Sequence, residues 1–330
     1  MTAVEERVRE RLLARREQLA GLTATRGEQR LLDLMRRVDD ALAAIEVGTW
    51  GICAVCHEPM SRERLEKDPL LTVCLECLSP EDRHALERDL EAAARVQRAL
   101  LPPPYLRHDG WEVAYVWEPR GAVSGDHVDL VRPSREEEPL HLLLGDVAGK
   151  GVAASLLQAH LHALFRALAP SESSLAELLE RANRLFFEAT AAASYATFAA
   201  LRLHRDGRAQ LVNAGHPRPL RADPRGVRPV EGAGLPLGLF AEARYAEREL
   251  RLGPGETLPL YTDGWTEGTK DEEEYGIGRA AAALRRAVDA PLPDLLAACR
   301  DDLGEFLAGS PRGDDLSLVA VRRLDTRGVQ

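Results

Sequence analysis

Two Cys-x-x-Cys pairs constrain the fold of this chain more than any other feature of the sequence. The cysteines that form the pairs are Cys53, Cys56, Cys74 and Cys77. The two pairs are separated by 17 residues, 57–73, a spacing typical of zinc ribbons. Each pair can point two thiolates at one ion, and Zn²⁺ takes four ligands in a tetrahedron. The alternative is four buried free cysteines. The spacing favours a small module around one structural Zn²⁺.

The overall composition is that of an ordinary globular protein. Of the 330 residues, 45% are hydrophobic and 29% are charged. No run approaches the roughly 18 apolar residues of a membrane span, and the charged N-terminus does not resemble a secretory signal. We therefore expect a cytoplasmic protein without a membrane partner. The net charge of −10 and the lack of a basic stripe argue against nucleic acid as the main ligand.

Helical patterns flank the cysteines. A helix is expected over residues 5–47, with a break near Gly21, and a second from Ser79, whose hydroxyl can cap it. Both carry heptad-like apolar seams, which pack either within one chain or as a dimeric coiled coil, so a homodimer through the second helix is one expectation. The expected divisions are a helical segment over 1–48, a zinc finger over 49–78, a linker helix over 79–101 and a larger domain over 102–325.

From about residue 111 the pattern changes to strands interrupted by pairs of helices. Strand-like runs are found at 111–119, 140–147, 196–204, 208–213, 245–251, 256–262 and 316–324. Helical patterns cover 152–168, 173–190, 277–287 and 292–308, the last carrying Cys299 on its apolar face. Clusters of strands interrupted by helix pairs predict an α+β fold or a layered α/β sandwich.

Four acidic motifs lie at the ends of these strands. They are SGDHVD at 124–129, GDVAGKG at 145–151, YTDGWTE at 261–267 and RGDD at 312–315. Each motif alone is common turn chemistry. Taken together, the motifs indicate more than turns, because Asp146 and Asp263 each follow an apolar strand and Asp314 precedes one. Carboxylates delivered by separate strand ends are the ligands that a Mg²⁺ or Mn²⁺ pair requires.

The order and form of these motifs resemble the SpoIIE/RsbU branch of the type 2C metal-dependent serine/threonine protein phosphatases, over about residues 93–322. The matching segments are ARVQRALLP, GD-x-x-D, GDVAGKG, NAGHP, GLPLGL, LYTDGWTE and GDDLSLV. The chain departs from the family pattern at Ser124, where a glycine is common, and at Val128, where an aromatic residue is common. The resemblance implies a layered α/β/β/α sandwich. It also implies a phosphoprotein substrate, an anti-sigma factor antagonist being one candidate.

The same resemblance implies a catalytic pair of Mn²⁺ or Mg²⁺ ions. Asp146 would bridge both ions. Asp126 and the main-chain carbonyl of Val147 would hold one of them, and Asp263 and Asp314 would hold the other. Supporting positions are expected for Asp129, Glu267 and Asp315.

The cysteine region has a second resemblance. The segment around Trp50, Gly51 and the two pairs is similar to the zinc finger of the DksA/TraR family, whose members bind RNA polymerase. The module is therefore expected to be structural or to bind a regulatory protein. The alternative function is a non-enzymatic, RNA polymerase-binding transcription regulator that acts through this module. The intact aspartates favour the enzyme.

Overall fold

The computed structural model describes residues 3–26, 29–72, 74, 77, 80–132, 138–190, 194–223 and 225–325. These residues divide into two compact units. The smaller one consists of the residues up to Asp89 and Thr190, and the larger one of the remaining residues from Leu90 onwards. Within the described ranges, no helix combines the length and the hydropathy that a membrane crossing needs.

The smaller unit is helical around the cysteine segment. Its elements are α1 (Ala3–Arg26), α2 (Gln29–Glu46), α3 (Arg62–Lys67) and the first part of α4 (Pro80–Leu100). Helix α1 packs along α2. The apolar stripe of α2 is buried within the unit, and it consists of Leu31, Leu34, Val38, Ala41, Leu42 and Ile45. The first heptad-like seam is therefore satisfied inside one chain.

The predicted break near Gly21 is wrong, because α1 continues through this residue to Arg26. A single glycine costs a helix only about 1 kcal/mol relative to alanine, and a 24-residue helix tolerates that cost. The proposed cap at Ser79 lies outside the described residues, and α4 is described from Pro80.

The larger unit contains two antiparallel sheets. In spatial order the six-stranded sheet is β1 (Tyr105–His108), β2 (Trp111–Glu118), β13 (Leu316–Arg323), β10 (Thr257–Tyr261), β7 (Leu220–Asp223) and β8 (Gly226–Pro229). The five-stranded sheet is β3 (Asp126–Val131), β4 (Leu140–Val147), β5 (Ala196–Leu203), β6 (Arg208–Ala214) and β9 (Arg248–Arg251). Strands β11 (Thr269–Lys270) and β12 (Glu273–Glu274) form a separate hairpin.

Four helices complete the larger unit. They are α5 (Val152–Leu168), α6 (Leu175–Ala189), α7 (Gly276–Ala287) and α8 (Leu292–Leu307). Helices α5 and α6 lie on the five-stranded sheet, and α7 and α8 lie on the six-stranded sheet. A short 3₁₀ helix, Asp263–Trp265, follows β10.

Alternation along the strands builds two cores. On β13, Val319 and Val321 face the core between the two sheets, whereas Leu316, Leu318 and Ala320 face α7 and α8. Because successive side chains of a strand point to opposite faces, each buried strand serves two layers and is apolar throughout. The predicted α/β/β/α sandwich is confirmed. Strands β1, β3, β7, β8, β11 and β12 were not expected from the sequence pattern.

Candidate active site

The pairing of β3 with β4 brings the first two aspartates of the predicted site together. Asp126 lies directly opposite Asp146 in the antiparallel register. Gly125 precedes this pair, and a Cβ at Gly125 would lie 2.9 Å from the carbonyl oxygen of Val147 and 3.2 Å from a carboxylate oxygen of Asp146. A residue with a side chain would therefore crowd both predicted ligands.

Asp126 is held by two hydroxyl groups from the other sheet. Its side chain is buried, with 2% of its surface exposed. Oδ2 accepts hydrogen bonds from Thr262 Oγ1 at 2.9 Å and from Ser317 Oγ at 2.6 Å. Thr262 Oγ1 in turn accepts a hydrogen bond from the main-chain N–H of Ser317. Sequence reasoning missed both hydroxyl residues, although each is a small polar residue next to an acidic motif and an apolar strand.

The third aspartate closes a cavity. Asp263 begins the 3₁₀ helix after β10, and its carbonyl accepts the N–H of Glu267 at 2.7 Å. Asp146, Asp263 and Glu267 line one cavity of about 430 Å³. The other described lining residues are Ala148, Tyr195, Thr197, Gly215, His216, Pro217 and Arg218. A concave site of this volume is within the range of small-molecule and substrate sites.

Negative charge accumulates in this region. Burial, and then the nearby Asp315 and Asp263, raise the pKa of Asp126 well above its ordinary value. Burial, followed by the charges of Asp126 and Asp263, likewise raises the pKa of Asp146. The pKa of Asp263 is raised by burial and then by Asp314. Like charges in a desolvated site disfavour ionisation, so a bound cation would relieve the repulsion.

Asp314 has a different setting from the other predicted ligands. Its Oδ2 accepts a hydrogen bond from Lys150 Nζ at 2.7 Å, and Lys150 also bonds to the carbonyl of Gly313. Asp314 is not among the residues that line the 430 Å³ cavity. It lies beside this part of the site nevertheless, because a Cβ at Gly264, the residue after Asp263, would lie 3.5 Å from the Cβ of Asp314.

Two further aspartates hold the surrounding backbone. Asp315 accepts hydrogen bonds from the N–H groups of Gly125 at 2.9 Å and Arg120 at 2.6 Å. Asp129, which is fully buried, accepts two hydrogen bonds from Arg166 on α5 at 2.6 and 2.8 Å. Both carboxylates are thus committed to structural bonds.

Gln97 near the end of α4 supports the same loop. Its Oε1 accepts the N–H of Ser124 at 3.0 Å, and its Nε2 donates to the Ser124 carbonyl at 2.7 Å. Nε2 also lies 3.3 Å from Oε1 of Gln158. Gln97 lies in the heptad-like seam of α4, where an apolar side chain would pack better. Its amide instead fixes the loop before Asp126.

The NAGHP segment forms a rigid turn at the cavity. Asn213 donates from Nδ2 to the carbonyl of His216 and accepts the N–H of His216, both at 2.9 Å. Thr197 Oγ1 lies 2.8 Å from His216 Nδ1. Burial lowers the pKa of His216 to about 3, so the imidazole is neutral at physiological pH. The residue therefore shapes the turn.

The aspartates fit a hard divalent cation by their chemistry. Carboxylate oxygens and a main-chain carbonyl are the ligands of Mg²⁺ and Mn²⁺ in proteins. Asp146 and Asp263 share a cavity wall, Asp126 pairs with Asp146, and Val147 follows Asp146. The residues that could hold such ions are therefore adjacent, and the assignment of each ligand to one ion stays a prediction.

The four cysteines also converge. All four sulfur atoms lie within 4.8 Å of one another. The Sγ atoms of Cys53 and Cys77 are 3.5 Å apart, those of Cys56 and Cys74 are 3.6 Å apart, and those of Cys74 and Cys77 are 3.2 Å apart. A disulfide would require about 2.05 Å, whereas thiolates around one Zn²⁺ lie about 3.8 Å apart. The cluster is compatible with a metal.

Main-chain groups favour the thiolate form at one corner of this cluster. The N–H groups of Val55 and Cys74 point to Cys53 Sγ at 3.4 and 3.3 Å. Hydrogen bonds from the main chain, that of Cys56 foremost, lower the pKa of the Cys53 thiol to about 6. Because a metal binds the thiolate rather than the thiol, these N–H groups prepare the site for an ion.

Comparison with known sequences identifies one family. The family model described as stage II sporulation protein E (SpoIIE) matches residues 136–324. Protein IcfG of Synechocystis sp. is 24% identical over 265 residues, which cover 71% of this chain and 41% of that protein. Phosphoserine phosphatase RsbU of Bacillus subtilis is 23% identical over 185 residues, which cover 55% of this chain and 54% of that protein. The chain thus spans about half the length of these curated relatives.

Solved structures share the fold. The SiaA-PP2C domain of Pseudomonas aeruginosa has a TM-score of 0.64 at 23% identity, covering 73% of this chain and 97% of that domain. The RsbU and RsbW domains of a Mycobacterium tuberculosis protein give a TM-score of 0.56 at 25% identity, covering 68% and 62% of the two chains. The larger unit therefore has the PP2C phosphatase fold.

Proposed function

Because the chain belongs to the SpoIIE family, we propose that it is a metal-dependent protein serine/threonine phosphatase. The observation that carries this proposal is the cavity that Asp146 and Asp263 share, together with the pairing of Asp126 with Asp146 in the sheet. Buried carboxylates that raise one another's pKa are costly for folding alone. Perturbed groups of this kind in a cavity are typical of functional sites.

We assign the proposed ligands as follows. Asp146 would bridge two Mn²⁺ or Mg²⁺ ions, Asp126 and the Val147 carbonyl would hold one, and Asp263 and Asp314 would hold the other. When bound, such a pair activates a water for attack on phosphorus and neutralises the phosphoryl charge. Asp314 would exchange its bond to Lys150 for the ion, and Lys150 would keep its bond to the Gly313 carbonyl.

The protein's own residues would keep the site in order. Thr262 and Ser317 fix the Asp126 carboxylate from the opposite sheet. Asp315 and Gln97 fix the main chain of the Ser124–Gly125 segment that leads to it. Preorganised oxygen ligands of this kind need little movement when a cation binds, which favours both affinity and rate.

The substrate in this proposal is a regulatory phosphoprotein. One of the relatives is named as a phosphoserine phosphatase, and an anti-sigma factor antagonist is the candidate that the motif resemblance suggested. The four cysteines of the smaller unit would bind one Zn²⁺, which holds that module together and offers a surface to a regulatory protein.

A generic phosphomonoester tests the enzyme proposal. The full chain, purified with Mn²⁺, should hydrolyse p-nitrophenyl phosphate, and a chelator should abolish the reaction until Mn²⁺ is restored. No turnover with Mn²⁺ or Mg²⁺, on either p-nitrophenyl phosphate or a phosphoserine peptide, would refute the enzyme. That result would favour the alternative in which the zinc module binds RNA polymerase and the larger unit has no catalytic role.

A further inference from the structure

Among its described residues, the wall of the cavity beside the aspartates has one permanent positive charge. Among the described residues that line it, Asp146, Asp263 and Glu267 are acidic and Arg218 is the single lysine or arginine. His216 adds no charge, because burial keeps its imidazole neutral. A phosphate dianion that enters this cavity meets three carboxylates and one guanidinium.

The backbone that carries Arg218 is fixed. Arg218 follows His216 by two residues, and the hydrogen bonds of Asn213 and Thr197 hold that turn. Gly215 has a φ of +74°, and a Cβ there would lie 2.7 Å from the ring of Pro236. The turn therefore has little freedom, and it holds the Cα of Arg218 at the cavity.

The guanidinium of Arg218 is available for a ligand. Its described ion pair is with Glu231 at 3.4 Å, and the two side chains are 52% and 63% exposed. Exposed pairs of this kind contribute little to stability and exchange readily with solvent and ligands. Lys150 is the nearby contrast, because its ammonium group donates to the Gly313 carbonyl and Lys150 is not among the described residues that line the cavity. Arg218 has no comparable structural task among its described contacts.

We propose that Arg218 binds the phosphoryl group of the substrate. No other described residue that lines the cavity carries a fixed positive charge. This inference rests on the proposed phosphatase function. A guanidinium presents two parallel N–H groups that match two phosphate oxygens, which a point charge cannot do. Arg218 would thus be a substrate-binding residue that holds two phosphoryl oxygens through parallel N–H groups.

Phosphate binding measured without turnover tests this proposal. The full chain is saturated with Mg²⁺ and titrated with inorganic phosphate in a calorimeter, for the native protein and for Arg218→Ala, Arg218→Lys and Arg248→Ala. Arg248 is the matched control, an exposed arginine on β9 that does not line the cavity. Loss of a charge-assisted hydrogen bond should weaken phosphate binding about tenfold or more in Arg218→Ala. Arg218→Lys should recover part of the affinity, and Arg248→Ala should match the native protein.

Kinetics on p-nitrophenyl phosphate separate this inference from the phosphatase proposal. In Arg218→Ala the KM should rise about tenfold, with a smaller change in kcat. An active native enzyme whose phosphate affinity and KM are unchanged in Arg218→Ala overturns the inference alone. An effect of Arg218→Ala on phosphopeptide substrates alone also overturns the inference, because the guanidinium would then contact the peptide and not the phosphoryl group. A native protein that binds no phosphate overturns it as well. Arg218-dependent phosphate binding without turnover supports the inference and refutes the enzyme.

Discussion

The cysteine cluster and the aspartate site are the two cation sites that we propose, and their residues are brought together in opposite ways. All four cysteines come from one stretch of 25 residues, 53–77, around two short knuckles. The aspartates of the proposed site are far apart along the chain, and folding of the two sheets brings them together. They are Asp126, Asp146, Asp263 and Asp314. Local ligands can organise a small module around the ion itself, whereas distant ligands need a fold that already exists.

This difference shows in the surroundings of the ligands. The cysteine segment has a small core of its own, consisting of Met60 and Leu65 with two of the cysteines. The aspartates lie at the edges of a large sandwich whose core spans both sheets. We therefore expect metal to determine whether the cysteine segment folds, and the fold of the larger unit to determine whether metal binds at the aspartates.

The largest effect is expected from Asp146→Asn. The substitution removes the carboxylate that we propose to bridge both ions, so the Mn²⁺-dependent rate on p-nitrophenyl phosphate should fall by several orders of magnitude. The larger unit should stay folded, because the amide avoids the repulsion from Asp126 and Asp263. Circular dichroism and turnover measure the two results. Asp271→Asn, at an exposed turn between β11 and β12, is the matched control and should keep full activity. Near-native activity in Asp146→Asn would contradict the assignment.

Cys53→Ser should have a large effect that is confined to the smaller unit. The native chain should retain about one Zn²⁺ after dialysis, and the variant should release it because a serine hydroxyl is a poor Zn²⁺ ligand. Protease susceptibility should rise in residues 49–78 while the larger unit stays resistant. Cys299→Ala is the control, since Cys299 is a buried thiol on α8 and should not change the zinc content. Elemental analysis that finds no zinc in a native, folded module would rule out the site.

A smaller effect is expected from pH. Because the pKa values of Asp126, Asp146 and Asp263 are raised in the folded, metal-free protein, their unfolded forms lose protons at lower pH than the folded ones. The metal-free protein should therefore lose stability as the pH rises through the raised pKa values. Bound Mn²⁺ favours the ionised carboxylates and offsets this loss.

Thermal unfolding checks this pH dependence. Saturating Mn²⁺ should raise Tm more at pH 7.5 than at pH 5.5, by about 2–4 °C for each kcal/mol of additional stabilisation. The Asp146→Asn variant should show a smaller difference between the two pH values. An equal gain at both values would mean that the ions do not bind at these carboxylates.

The sequence predicted the layered sandwich because its main strands and helices have strong, long patterns. Strand β3 was not predicted, because its sequence, DHVDLV, begins with polar residues that are typical of a turn. Those charges are tolerated in a buried strand by specific partners, namely Thr262 and Ser317 for Asp126 and Arg166 for Asp129. Such partners lie 37 to 191 residues away along the chain, so no local pattern can reveal them.

The site was predictable to different depths. The grouping of the cysteines follows from their spacing alone, which is local. The pairing of Asp126 with Asp146 depends on the register of β3 and β4, and the bond between Lys150 and Asp314 depends on a loop contact 164 residues apart. The motif resemblance implied that Asp126 and Asp146 share an ion, but it did not indicate the bond between Lys150 and Asp314. The metal-binding role of each aspartate stays a prediction.

The position of β13 has a consequence for synthesis on the ribosome. This strand is the last in the described chain, yet it lies between β2 and β10 in the middle of the six-stranded sheet. A nascent chain that ends before Leu316 leaves β2 and β10 with unpaired edges and lacks the hydroxyl of Ser317 that holds Asp126. The larger unit can therefore close only after translation has passed this strand. The cysteine module is complete some 240 residues earlier, because its two pairs both precede residue 78.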